Sequence, residues 1–178
     1  MKTIFYYTNI ITRKFLFLFF ILVSLLSNAQ KATINDLFIN DSIPAIITLD
    51  KLEMMIEVDS IVKKPEYMDA IDHDSLVYIG NTYFLYYKGN NTCYLSKVEF
   101  NEKIKSIRID QFILDYQTTY ADLKTTFSSC SALSDNISVY NDPHQYESCS
   151  MPIKNYDGRF LFYFHEKKLK LFFVWQPV

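Results

Sequence analysis

Three histidines, three cysteines and a scatter of carboxylates are the side chains with which this sequence could do chemistry. Histidine is the side chain that can pass protons near physiological pH, and the chain has three, His73, His144 and His165. A serine nucleophile on a nucleophile elbow would be announced by G-x-S-x-G, which does not occur. Only 3 glycines are present, and neither G-x-G-x-x-G nor G-x-x-x-x-G-K-[ST] can be written with them, which excludes a glycine-rich phosphate cradle. Cys149 with His144 or His165 would work as a nucleophile only as a free thiolate, in competition with disulfide formation. Zinc favours short local spacings such as C-x-x-C, and Cys130, His144 and Cys149 do not have them. Asp72-His73-Asp74 sets three ligand types in a row, but successive residues entering a strand point different ways, so this reads as a solvated turn. Paired carboxylates for sugar cleavage meet only in the fold, and nothing in the spacing points to them. The sequence therefore predicts no catalytic residue, no metal ligand set and no cofactor, and a protein that is not an enzyme.

The cysteines say more about compartment. Lys2, Arg13 and Lys14, with no acid among them, precede an uncharged apolar run at 15–26, and Ser27-Asn28-Ala29 follows. Basic end, apolar middle and small-residue site are the order of a secretory signal. The run is shorter than the about 20 apolar residues of a spanning helix, and extending it backwards would bury Arg13 and Lys14. Residues 1–29 are thus expected to be a signal cleaved after Ala29, leaving a periplasmic or secreted protein with no stable membrane insertion. No cysteine lies near the cleavage point to carry a lipid. Disulfides persist in such compartments. Cys130 and Cys149 are the expected pair, closing a loop worth about 3 kcal/mol in the chain-entropy picture. Cys93 is then left as a small buried hydrophobe on a strand. Spacing alone leaves other pairings open.

Export also shifts the charge. Removing residues 1–29 takes three of the 18 basic residues and none of the 20 acids. Only Arg108 and Arg159 remain as arginines, too few for phosphate neutralisation, so no nucleic-acid partner is expected. Lys167, Lys168 and Lys170 read as a hairpin turn and the solvent side of a strand.

The elements that must position these groups come in two similar series. Thr48-Leu-Asp-Lys-Leu52 and Thr119-Tyr-Ala-Asp-Leu123 each set a threonine at a helix N-cap with a leucine four residues on. Thr119 with Asp122 has capping-box spacing, and Ile47 with Leu52 has staple spacing. Downstream, Phe84-Leu-Tyr-Tyr87 matches Phe160-Leu-Phe-Tyr163 at a similar offset, with a few more residues in the second series. Strands are expected at 75–79 and 82–88 around Gly80-Asn81, then at 93–100 after Gly89-Asn90-Asn91. One further strand is expected at 104–112, where isoleucines alternate with charges. In the second series Asp157-Gly158 signals a hairpin turn into 159–164, and Glu166-Lys167 turns the chain into 168–175. The fold expected from this is α+β: two tandem units, residues 30–112 and 113–178, each a helix followed by an antiparallel β-meander, with the helices packed on one sheet face.

Two such units in a secreted chain resemble the β-lactamase-inhibitor-like superfamily, whose unit small outer-membrane assembly lipoproteins share. The resemblance covers most of residues 33–175 and is carried by the layout and the two Thr-x-x-[Asp/Lys]-Leu helix starts. It implies a protein-binding module without catalysis that grips a partner through its sheet. The chain departs from that family in lacking a second helix in each unit and a lipidated cysteine, so no family binding residue is transferred.

The composition has its own excess, 14 Tyr and 15 Phe. On 83–87, Tyr83, Leu85 and Tyr87 share one side of the strand and Phe84 and Tyr86 the other. One side can pack on the helices. Tyrosines on the other offer contact area with a polar tip, and Tyr83 and Tyr87 are the expected partner-binding residues. An envelope or secreted protein is the expected partner; a carrier of a small apolar ligand and a hydrolase are the alternatives. Asp-Ser-aliphatic triplets at Asp41-Ser42-Ile43, Asp59-Ser60-Ile61 and Asp74-Ser75-Leu76 resemble an O-glycosylation motif of some Gram-negative envelope proteins.

Overall fold

Alternation of apolar and polar residues organises nearly all of the chain. The computed structural model describes residues 32–64, 73–140 and 142–176. The expected signal at 1–29 lies outside them, as does Asp72. The first hairpin is β1 (Leu37–Ile39) and β2 (Ile43–Pro44). Strand β3 (Ile46–Thr48) leads into helix α1 (Leu49–Met55). Strands β4 (Ser60–Lys63), β5 (Ser75–Ile79), β6 (Thr82–Tyr87) and β7 (Thr92–Glu99) follow. A second hairpin, β8 (Ser106–Ile109) and β9 (Phe112–Asp115), precedes helix α2 (Tyr120–Thr126). Strands β10 (Ser134–Ser138), β11 (Gln145–Pro152), β12 (Arg159–His165) and β13 (Lys168–Trp175) complete the order.

These strands form two antiparallel sheets. One has four strands in the order β2-β1-β8-β9. The other has nine, in the order β10-β11-β12-β13-β7-β6-β5-β4, with β3 also paired to β7. A single core joins them. The large sheet contributes Val77, Phe84, Leu95, Phe160, Phe162 and Phe172, and the small sheet Leu37, Ile39, Ile107 and Ile109. The reason is the two-residue period: on β12, Phe160, Phe162 and Phe164 are buried, while Leu161, Tyr163 and His165 between them face the other way. Burying each such phenylalanine contributes about 1.5–3 kcal/mol.

The expected α+β fold with helices packed on one sheet face is corrected by this arrangement. Strand dominates, and the described residues hold only two α-helices, each seven residues long and burying one side chain, Leu52 or Leu123. Helices so short cannot form a layer; the small sheet supplies it. The expected strand at 104–112 is in fact half of a hairpin, because Asp110 adopts a left-handed φ of 57° and reverses the chain. Nor do two meanders stand as separate sheets. The last strands, β7 and β13, pair antiparallel at Lys97 and Phe173, which fuses them. The described residues form one compact unit.

Turn chemistry explains the local stops. Gly80 sits at φ 60°, where a side chain is strained. Glu166 and Lys167 both take positive φ, 50° and 65°, as a two-residue hairpin turn requires. Gly158 serves a different purpose from the turn expected there: a Cβ on it would stand 2.7 Å from the Trp175 carbonyl oxygen. Both helices end where a bulky residue leaves helical geometry. The amides of Ile56 and Phe127 close the last turns on Leu52 and Leu123 at 3.0 and 2.7 Å.

Candidate functional site

The side of the large sheet turned away from the core is aromatic. Tyr83 faces Tyr78 across β5 and β6, with ring centres 5.7 Å apart, and Tyr163 faces Phe173 across β12 and β13 at 5.3 Å. Lys97 lies between these pairs, opposite Tyr83 on one neighbour and Phe173 on the other. Its ammonium group pairs with Glu99 at 3.3 Å, which leaves its methylene stem to cover the rings. Residues 138–140 complete the site from the far side, so Tyr78 and Tyr140, from opposite flanks of the sheet, line one cleft of about 430 Å³. Tyr140 is 77% exposed, an aromatic ring held open to an incoming surface. Burial pushes the Tyr163 phenol above its usual range, so it stays protonated.

Tyr83 and Tyr87 share this sheet face but not the cleft. Tyr83 lines it; Tyr87 stands further along β6 against Tyr94, at 5.2 Å, and His73, at 6.5 Å. Phe84 between them is fully buried in the core.

A second and larger cleft, about 730 Å³, opens where the ends of β12 and β13 meet the segments after β7 and β9. His144 and His165 stand on its wall with ring centres 4.6 Å apart. His144 lies two residues ahead of Tyr146 on β11, and Tyr146 adjoins His165 at 5.9 Å. The Asp142 carboxylate organises the group. It accepts from the Tyr146 hydroxyl at 2.6 Å, from the His144 amide at 3.0 Å and from His144 Nδ1 at 2.8 Å. Burial works to raise the Asp142 carboxyl, but those donors, Tyr146 first, outweigh it and hold it down at about 2. The Tyr146 phenol is pushed up, by burial and then by the carboxylate.

A histidine beside an ionised acid in a cleft is half of a hydrolytic site. Among the described residues that line this cleft there is no serine, threonine or cysteine. Cys149 is not its partner. It faces the core from β11, buried, while His165 faces the other side of the sheet. His73 lies apart, buried against Tyr87. The signal in the sequence for this group was Asp142-Pro-His144, an aspartate placed to bond the amide and ring two residues on.

Cys130, just beyond α2, and Cys149 approach to 2.5 Å in the core and are thiols in this structure. Cys93 is buried on β7, and burial raises its thiol to about 12, so it is inert as a nucleophile. Of the three Asp-Ser-aliphatic sites, Ser42 and Ser60 are exposed and Ser75 is half-buried at the start of β5. No helix among the described residues is long and apolar enough to cross a membrane. Among them, no group of three or more His, Cys, Asp or Glu side chains is gathered around a point.

No protein family, curated protein or solved structure compared with this chain matches it.

Proposed function

We propose that the protein is an exported, non-catalytic binding module that receives a protein partner on the tyrosine-bearing face of its large sheet. The aromatic cleft around Tyr78, Tyr83, Tyr163 and Phe173 carries this reading. Its rings offer large area with polar edges, the combination that concentrates binding energy at protein interfaces. The cleft is open along one side, which suits a partner surface better than a small apolar ligand that must be enclosed. Trp175, 47% exposed at the end of β13, extends the aromatic surface beyond it. Export rests on residues 1–29, and an oxidising compartment is where Cys130 and Cys149 would close as a disulfide.

A photo-crosslinking residue, p-benzoylphenylalanine, placed at position 83 or 163 in the producing cell tests this. A discrete adduct is expected from both positions and not from position 113, whose isoleucine is 61% exposed on the small sheet. The adducted protein, purified and titrated, should bind the Tyr83→Ala/Tyr87→Ala variant at least about tenfold more weakly. No adduct from 83 or 163, the same adduct from 113, or unchanged affinity in the double variant would overturn the proposal.

A further inference from the structure

The second cleft holds two histidines prepared in the same way. An ionised carboxylate can only accept, so the contact between His144 Nδ1 and Asp142 Oδ1 puts the proton on Nδ1. His165 Nδ1 lies 3.3 Å from the Gln145 carbonyl oxygen, also an acceptor, so that ring too carries its proton on Nδ1. In both neutral rings the lone pair is therefore left on Nε2. Ring nitrogens whose opposite N–H is given to a carboxylate or a backbone carbonyl are the usual state of metal-binding histidine. The geometry points to a binding site for one divalent late first-row transition ion, of the zinc or copper class, held by Nε2 of His144 and Nε2 of His165.

The spacing agrees. An imidazole bound at about 2.0–2.1 Å keeps its ring centre about 3.2 Å from the ion, so two rings stand about 4.5 Å apart at the roughly 90° of cis copper positions and about 5.2 Å apart at the tetrahedral angle of zinc. The observed separation is 4.6 Å. Their planes are inclined by 62°, not stacked. Charge does not oppose a cation: the cleft's lysines, Lys105, Lys168 and Lys170, are matched by Glu102, Asp115 and Glu166. Lys168 is also engaged elsewhere, donating to Gln117 at 2.5 Å. Among the described residues no third protein ligand converges, so water or a donor brought by another molecule completes the coordination. Two imidazoles without a carboxylate favour zinc or copper over magnesium or calcium, which take oxygen ligands.

The site stands apart from the tyrosine cleft, so its test is independent of that reading. The purified protein, with Cys130 and Cys149 oxidised and Cys93 replaced by alanine to remove competing thiols, is titrated with Zn²⁺ and with Cu²⁺ near pH 7. One ion per chain at micromolar affinity is expected, with no response to Mg²⁺. Cu²⁺ should show electron paramagnetic resonance couplings from two imidazole nitrogens. His144→Ala and His165→Gln should each weaken binding at least about tenfold and leave one coupled nitrogen. Asp142→Asn keeps both ligands but disturbs the tautomer, and should weaken binding about 10-fold or more. His144 is 49% exposed, so its replacement should leave the fold intact, which circular dichroism checks. No binding at millimolar metal, affinity unchanged in both histidine variants, or couplings that persist without them would overturn the site.

Discussion

In the first half of the chain Thr48 pairs with Thr92 and then starts α1; in the second, Thr119 bridges to Lys168 and then starts α2. Four antiparallel strands follow each helix, and from the central β7–β13 pair the sheet runs outward through them in the same order on both sides. The small sheet is built likewise about Phe38 and Arg108, where β1 pairs with β8. Asn40 donates to the Ser106 carbonyl and Asp110 to that of Asp36, both from left-handed turns. What repeats is strand order inside shared sheets, not a free-standing helix-and-sheet unit. The two halves then diverge. Of the two α-helices, α2 alone has a complete capping box, with the Thr119 hydroxyl accepting from the Asp122 amide at 3.2 Å. In the first, Thr48 makes no such bond, and Asp50 accepts from Asn91 instead. Cys93 is buried without a second cysteine, whereas Cys130 and Cys149 meet. The connection from β10 to β11 brings Tyr140 to one cleft and His144 to the other. A common scaffold has been elaborated on one side, and both candidate sites draw on that side.

The largest expected effects test the scaffold. Phe84 and Phe164 occupy matching core positions, each just past the register shift in its strand pair, and both are fully buried. Phe84→Ala and Phe164→Ala should each cost about 3–5 kcal/mol in urea unfolding; a cost below about 1 kcal/mol at either would break the equivalence. Next comes the cysteine pair. Peptide mapping without reductant should yield a linked Cys130–Cys149 fragment, and Cys149→Ser should cost about 2–4 kcal/mol in the oxidised protein. Finding both thiols alkylatable in the secreted protein would sink this. Removing the caps separates the halves again: Thr119→Ala should cost about 1 kcal/mol, and Thr48→Ala clearly less, in thermal melts.

The smallest effect is one of pH. Asp142 ordinarily titrates near 3.8 and is held at about 2 when folded. A lowered folded pKa means its contribution is present above the ordinary value and fades as pH falls through the folded one. Asp142→Asn should therefore flatten the loss of stability between about pH 4 and 2. The Asp122 carboxyl is also lowered, by the Thr119 hydroxyl and amide, and Asp122→Asn should act in the same direction. Acid unfolding curves that keep their wild-type slope in both variants would remove the carboxylates from this account.

The legible parts of the molecule were those set by neighbours in sequence. The phenylalanines of 159–164 face one way because side chains alternate on a strand, and the Thr119–Asp122 cap forms within one turn. The turns at Gly80 and at Glu166-Lys167 follow from residues that enter the left-handed region or are placed there by a two-residue loop. The small sheet was not legible, because β2 is two residues long and β1 three, too short to show a period. The reversal at Asp110 was hidden inside an uninterrupted alternation of isoleucine and charge.

Local chemistry by itself thus determined which side of each longer strand is apolar, where several turns fall, where both helices begin, and the surplus of tyrosine left for a second face. Tertiary structure alone decided that β7 joins β13, that hairpins rather than helices cover the core, and that His144 comes to rest beside His165. The physical reason is that strand partners are chosen by hydrogen bonds between distant segments, whose registry no local period records.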